Sequence, residues 1–192
     1  LGLAFQSPVW YNLSEEFTEY EVELFETGFD TFTENSGVGF FDYRLRTSGK
    51  VTGSFAYIFD RHGLISVDYI YRNYSNTKLS KGDFSGENQD FNSDLQSTGE
   101  LRVGAEWRFD NISLRGGFHV EKNPYKNAID TDDIEGFSLG AGFKFKGGKI
   151  DFAYQSATNT APYSVYPLSN EVDAVELDFD TSKISATLVL NI

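Results

Sequence analysis

The strongest constraint on this chain is a two-residue hydrophobic period that recurs along most of its length. Leu101, Val103, Ala105, Trp107 and Phe109 alternate with Arg102, Gly104, Glu106 and Arg108, so an extended strand here is apolar on one face and charged on the other. Tyr43, Leu45, Val51, Gly53, Phe55, Tyr57 and Phe59 alternate in the same way with Asp42, Arg44, Arg46, Thr52, Ser54, Ala56 and Ile58. Ile65, Val67, Tyr69 and Tyr71 face Ser66, Asp68, Ile70 and Arg72; Leu114, Phe118 and Val120 face Ser113, Arg115, Gly117 and His119. The pattern returns in Phe137, Leu139, Ala141, Phe143 and Phe145, in Ile150, Phe152 and Tyr154, and in Ile184, Ala186, Leu188, Leu190 and Ile192. With Leu1, Leu3 and Phe5 as the first segment, and Phe41 to Phe59 as one long second segment, eight strands are predicted.

The connections alternate in length. Asp60 to Gly63, Asp110-Asn111 and Lys146 to Lys149 are short turns, whereas residues 14–38, 75–97, 122–135 and 157–182 form long polar segments. Short turns at one end and long loops at the other are the plan of an up-and-down barrel of the outer-membrane kind. Pro8, Pro124, Pro162 and Pro167 all avoid the strand centres, where a missing N–H would interrupt the ladder. Eighteen glycines, 18 phenylalanines and 11 tyrosines with no methionine fit strands and turns and disfavour helix bundles.

No apolar run approaches the roughly 18 to 20 residues a membrane-crossing helix requires. The net charge of −13 argues against a nucleic-acid surface, which works by neutralising phosphates with clustered bases. Acids concentrate in two of the long segments, Glu15 to Glu34 and Glu171 to Asp180, while most Lys and Arg lie in or beside the alternating strands. No cysteine is present, so neither a disulfide framework nor thiolate chemistry is available.

Alternation alone does not say which face is wet. A soluble lipid-binding barrel turns its apolar face inward around a ligand. A membrane barrel turns it outward, since Arg or Lys on the lipid face at mid-bilayer costs about 2–4 kcal/mol. Two features favour the membrane arrangement. Charges of both signs on the polar face are interleaved with glycine, as in a crowded lumen; Asp68, Arg72, Arg102, Glu106, Arg115 and His119 are the candidate lumen-lining residues. Aromatic residues cluster near the strand ends of the other face, where Tyr57, Phe59, Tyr71, Trp107, Phe109, Phe143 and Phe145 would form a lipid-facing girdle.

The segments Gly63-Leu-Ile-Ser-Val-Asp-Tyr-Ile-Tyr-Arg-Asn-Tyr-Ser75, Leu101-Arg-Val-Gly-Ala-Glu-Trp-Arg-Phe109, Ile112-Ser-Leu-Arg-Gly-Gly-Phe118 and Phe137-Ser-Leu-Gly-Ala-Gly-Phe143 resemble the C-terminal part of the FadL/TodX family of outer-membrane transport proteins. Leu3-Ala-Phe-Gln-Ser-Pro8 is similar to a family strand rising into an outer loop. The resemblance implies the last eight strands of a fourteen-stranded barrel. On that expectation residues 1–192 are a single barrel domain of a longer protein, with the N-terminal hatch and first strands absent. It also implies passive uptake of hydrophobic small molecules such as long-chain fatty acids, captured at the outer loops and released laterally or to the periplasm of a Gram-negative bacterium. Two departures stand out. Thr47-Ser48-Gly49 occupies a position where the family has a proline after threonine, so a kink there would rest on glycine, and the chain ends in Ile192 rather than an aromatic residue.

Arg72, Arg102 or Arg115 could bind the carboxylate of a fatty-acid-like ligand, and the competing reading is a self-neutralising charge network that fills the interior. Asp130-Thr-Asp-Asp133 lacks the spacing and glycine of a calcium loop and reads as a solvated acidic loop. With only His62 and His119 a zinc site is not expected, and no metal or cofactor is assigned. Glu15 to Glu34 alternates in part through Phe17, Tyr20, Val22, Leu24, Phe25 and Phe29, as a strand continued above the membrane or an apolar surface for a protein partner or ligand would. No nucleophile elbow, phosphate loop or dinucleotide fingerprint occurs, so a non-enzymatic protein is expected. An eight-stranded adhesion barrel binding a partner through acidic outer loops, alone or within a larger complex, is the alternative.

Overall fold

The computed structural model of the protein describes residues 1–23, 32–165 and 173–190. Eleven strands and one α-helix are formed there: β1 (Gly2–Gln6), β2 (Trp10–Glu23), β3 (Phe32–Arg46), β4 (Lys50–Phe59), β5 (Gly63–Asn73), β6 (Lys78–Ser80), α1 (Ser85–Asp94), β7 (Ser97–Phe109), β8 (Ile112–Glu121), β9 (Ile134–Phe145), β10 (Gly148–Tyr163) and β11 (Val175–Leu190). Eight make one antiparallel sheet in the order β1-β4-β5-β7-β8-β9-β10-β11, so neighbours in space are neighbours in sequence apart from the excursions β2–β3 and β6–α1. The sheet does not close on itself; β1 and β11 are its two edges.

The predicted eight strands are therefore all present, and the register keeps their faces aligned. Asp68 lies opposite Arg102, Arg102 opposite His119, and His119 opposite Gly136, while Val67, Val103, Phe118 and Phe137 share the row on the other face. A slip of one residue at any ladder would exchange the two faces, and none occurs in this sheet. The tight turns place Asp60 and Asp110 at φ 52° and 43° and Gly147 at 99°; aspartate and glycine tolerate this left-handed region better than β-branched residues.

The long second strand is broken at residues 47–49, as the glycine there allows. Beside the break, residues 7–9 interrupt the neighbouring strand, and Thr47 N–H donates to the Val9 carbonyl at 2.9 Å while Val9 N–H donates to Thr47 Oγ1 at 3.1 Å. Both strands thus leave the large sheet together and continue as β2 and β3, paired from Trp10↔Arg46 upward and joined by β6.

Two of the long segments differ from the expectation of polar loops. Residues 14–38 are mostly the paired β2–β3 hairpin, and residues 157–182 contain the upper halves of β10 and β11, paired as far as Tyr163↔Val175. The partial alternation through Phe17, Tyr20 and Val22 offers the first of these as a continued strand. Cross-strand hydrogen bonding needs only a partner strand, so polar residues extend the second, which its hydrophobic pattern alone does not reveal. The segment 75–97 carries the unpredicted helix α1, which is too polar on all sides to show a hydrophobic stripe. Leu24, Phe25, Phe29, Pro167, Glu171 and Ile192 lie outside the described residues.

The molecule exposes 14675 Å² of surface. A compact globule of this mass would expose about 9,200 Å². Among the described residues Ile70 is the only apolar one that is buried. A single-layer sheet with both faces open has no conventional core, so its apolar face must be covered by something other than this chain.

Candidate functional site

The polar face of the sheet is hollowed into a recess of about 560 Å³. Ser66 and Asp68 of β5, Glu100, Arg102 and Glu106 of β7, Arg115, His119 and Glu121 of β8, Ser138 of β9 and Gln155 of β10 line it. Each reaches it by the same cause: it occupies the polar phase of an alternating strand, and the unbroken register brings those phases to one side.

Within the recess Glu100, Arg102, Glu106 and Arg115 are ion-paired, whereas Asp68 and Glu121 have no ion-pair partner among the described residues. Arg115 donates to Glu106 at 2.8 Å and to Asp151 of β10 at 2.7 Å. Asp151 also meets Lys149 Nζ at 3.0 Å, and Arg108 donates to Glu106. Arg102 turns to Glu100 on its own strand, two residues away, although Asp68 is its cross-strand partner. Arg72 stands outside the recess, donating to Tyr74 Oη at 2.7 Å with its guanidinium 5.1 Å from the centre of the Tyr74 ring. The sequence candidates Asp68, Arg102, Glu106, Arg115 and His119 are therefore gathered in one place and Arg72 is set apart. Ser66, Glu100, Glu121, Ser138 and Gln155 are lining residues not named as candidates from sequence; Glu100, Glu121 and Gln155 lie just past the segments whose alternation phases them, and the two serines lie in phase but carry no charge.

The opposite face collects aromatic rings toward the short-turn end. Tyr57 and Phe59 meet edge-to-face at 4.8 Å between centroids, Phe59 and Trp107 lie 6.4 Å apart, and Trp107 and Phe109 6.5 Å apart. Phe143 and Phe145 lie at the same end of β9, and Tyr71 lies at the far end of β5. All seven girdle candidates are exposed.

The Asp130–Asp133 cluster is not the solvated loop expected. Asp132 and Asp133 are buried, at 6% and 7% exposure, because each replaces water with a set of donors. Asp132 accepts from Ile129 N–H at 3.0 Å and from Thr160 Oγ1 at 2.9 Å. Asp133 accepts from Asn123 N–H at 2.8 Å and from Lys122 Nζ at 2.5 Å. Asp133 holds the Lys122 ammonium above its ordinary pKa, first through that hydrogen bond and then through its charge. Among the described residues no group of acids and histidines is arranged to hold a metal ion.

On the β2–β3 hairpin, Tyr43 donates to Glu15 Oε1 at 2.5 Å, and Phe41, Tyr43 and Phe84 form a cluster with centroids 5.7 Å apart. This seats the loop before α1 on β3. The hydrogen bond to Glu15, then burial and the Glu15 charge, raise the Tyr43 pKa above its usual value.

No protein-family model matches the chain, and no curated protein matches it in sequence. Among solved structures it is similar to one described as a Pseudomonas aeruginosa FadL homologue, with a TM-score of 0.57 and 15% identity. The match covers 97% of this chain and 46% of that one, so the chain spans about half the length of its structural neighbour and shares the fold of that part.

Proposed function

We propose that the chain forms part of the wall of an outer-membrane channel of a Gram-negative bacterium that admits hydrophobic small molecules, long-chain fatty acids among them. One observation carries this reading: the hollowed face of the sheet is the charged one, and the face bearing Trp107, Phe143 and Leu188 is its reverse. A soluble lipid-binding barrel would need the opposite arrangement. Acyl chains would cover the apolar face, with Tyr57, Phe59, Trp107, Phe109, Phe143 and Phe145 at one interface and Tyr71 toward the other.

In this reading the recess faces the lumen. The unpaired backbone edges of β1 and β11 cannot stand in hydrocarbon, so further strands complete the wall at both edges. The likeness to a FadL homologue supports the choice of cargo. Substrate would be captured at the outer hairpins, enter the lumen and leave laterally or to the periplasm, driven by its own concentration gradient.

The test is uptake. Expression of the full protein in a strain lacking its own long-chain fatty-acid channel should restore growth on oleate as sole carbon source. Correctly inserted protein that restores no growth overturns the reading.

A further inference from the structure

Three pairs of Lys or Arg stand directly opposite each other in the two sheets, an arrangement in which like charges oppose strand pairing. Lys144↔Lys149 is relieved by Asp151, 3.0 Å from Lys149 Nζ. In Lys50↔Arg72 the guanidinium is taken up by Tyr74, through the hydroxyl at 2.7 Å and through the ring. Arg46↔Lys78, on the small sheet, has neither relief, and among the described residues no carboxylate pairs with either base.

Arg44 joins them on the same face, two residues or about 7 Å along β3, and it too has no ion pair among the described residues. Its Nε donates to Asn12 Oδ1 at 3.0 Å, and Arg46 Nη2 donates to the Asn76 carbonyl at 2.9 Å. Both acceptors are neutral, so the three charges stay uncompensated. Arg46 Nε is buried with no acceptor at all. The next carboxylate on this face, Asp42, lies a further two residues along β3 and is ion-paired to none of them. In a chain with 29 acids against 16 bases, composition does not account for three bases left together without one.

Specific contacts hold this unfavourable juxtaposition in place. β6 is three residues long, and on the side away from β3 the helix α1 supplies Asn88. The Asn88 side chain accepts from Leu79 N–H at 2.9 Å and donates to the Leu79 carbonyl at 3.0 Å. It thus pairs with Leu79 as a neighbouring strand would, and β6 is clamped with Lys78 in register with Arg46.

We propose that Arg44, Arg46 and Lys78 form a binding site for a phosphate monoester or free phosphate. Such a group carries about two negative charges and three acceptor oxygens, which suit three unpaired bases better than a carboxylate does. Set between Arg46 and Lys78, whose Cβ atoms are about 5 Å apart, it accepts from the ammonium and, once the guanidinium turns toward it, from the Arg46 Nε that has no acceptor. Arg44 contributes its Nη groups. The break at residues 47–49 lies beside the site, so on the channel reading the site stands where the wall leaves the acyl region, at the level of lipid head groups. The chemistry of the site does not depend on that reading.

The test uses the full protein in phosphatidylcholine nanodiscs with two probes. Inorganic phosphate is titrated calorimetrically; phosphatidic acid, whose head is a phosphate monoester, is mixed into the bilayer and its retention on the protein read by native mass spectrometry. Lys78→Gln should weaken phosphate about tenfold, the scale of one charge-assisted contact, and Lys78→Arg should retain it. Lys78 is exposed on a three-residue strand, and Arg44→Gln, with the same expected loss, is the second variant. Phosphatidic acid retained by wild type and lost from Lys78→Gln makes a lipid head the source, whereas phosphate bound without lipid retention makes it the free anion. Wild-type protein that binds neither probe, or affinities that Lys78→Gln and Arg44→Gln leave unchanged, overturns the site. A failed oleate complementation overturns the channel reading and not this site.

Discussion

Arg115 stands across the β7–β8 ladder from Glu106 and bridges it to Asp151, two strands away on β10. The bridge crosses β9 where that strand carries Gly140 and Gly142, which are opposite Arg115 and Asp151 in the register. A Cβ on Gly142 would collide with Ser113 Oγ and stand 2.5 Å from Asp151 Oδ1 and 3.5 Å from Arg115 Nη1. The glycine leaves the space in which the guanidinium meets its second carboxylate.

Arg115→Ala should therefore lower stability, because two half-covered carboxylates lose a donor at once. Glu106 keeps Arg108 and Asp151 keeps Lys149, and the Arg115 side chain is 37% exposed, so the loss is about 1 kcal/mol after solvent screening. The urea midpoint of the vesicle-inserted protein measures it. A midpoint equal to that of wild type would show that the bridge contributes nothing.

Gly142→Val should cost more than Arg115→Ala, about 1–3 kcal/mol, since the added side chain displaces the Asp151 carboxylate and overpacks the row together. In an Asp151→Ala background the same substitution should cost less, because one of its two closest obstacles is gone and only Ser113 Oγ remains. Equal costs in the two backgrounds would place the clash elsewhere.

How much of this was legible in the sequence varies with what fixes each feature. The eight strands and their faces were, because the period-two pattern of segments such as Leu101 to Phe109 admits one phase. The split of the second strand at Gly49 was legible as a place to bend, but the departure of its upper half into a second sheet depends on the pairing of Thr47 with Val9, thirty-eight residues away. Strand order gathered Asp68, Arg102, Glu106, Arg115 and His119 on one face without saying which would pair. In the fold Arg115 meets Glu106 across the ladder, whereas Arg102 turns to Glu100 on its own strand and not to Asp68, since long side chains settle locally among several acids. The burial of Asp132 and Asp133 had no periodic signal, because it arises from donors at Thr160, Lys122 and Asn123 that only the fold assembles.

Asp132→Ala should loosen the loop at residues 129–133 from β10. Buried at 6% exposure, the carboxylate satisfies both the Ile129 N–H and the Thr160 hydroxyl, and removing it leaves two donors without their acceptor at a cost of about 1–3 kcal/mol. Hydrogen exchange at the Ile129 amide should accelerate while amides at the middle of β8 stay protected. Unchanged exchange at Ile129 would contradict the assigned role.

The Tyr43–Glu15 contact gives the outer hairpin an alkaline limit. Its partner raises the Tyr43 pKa, so the contribution is fully present below the unfolded tyrosine value of about 10 and is lost as pH rises through the higher folded value. Phenolate absorbance should show one tyrosine titrating later than the rest, and Tyr43→Phe should remove that late component. A Tyr43→Phe titration curve that differs only by an ordinary tyrosine would exclude the contact.

On the channel reading, the two tryptophans lie on opposite sides of the membrane boundary. Trp107 lies in the aromatic row of the apolar face with Phe59 and Phe109, while Trp10 begins the outer hairpin, past the point where β1 leaves the large sheet. If acyl chains cover that face, Trp107 in a Trp10→Phe variant should emit at shorter wavelength and be quenched strongly by lipids brominated along the acyl chain. Trp10 in a Trp107→Phe variant should be quenched less by those lipids and more by aqueous iodide. The comparison uses one protein and one bilayer, so differences in expression or insertion affect both readings alike. Iodide quenching of Trp107 as strong as that of Trp10, in vesicles where insertion is verified, would mean that water and not lipid covers the aromatic face, and the channel wall would have to be turned inside out.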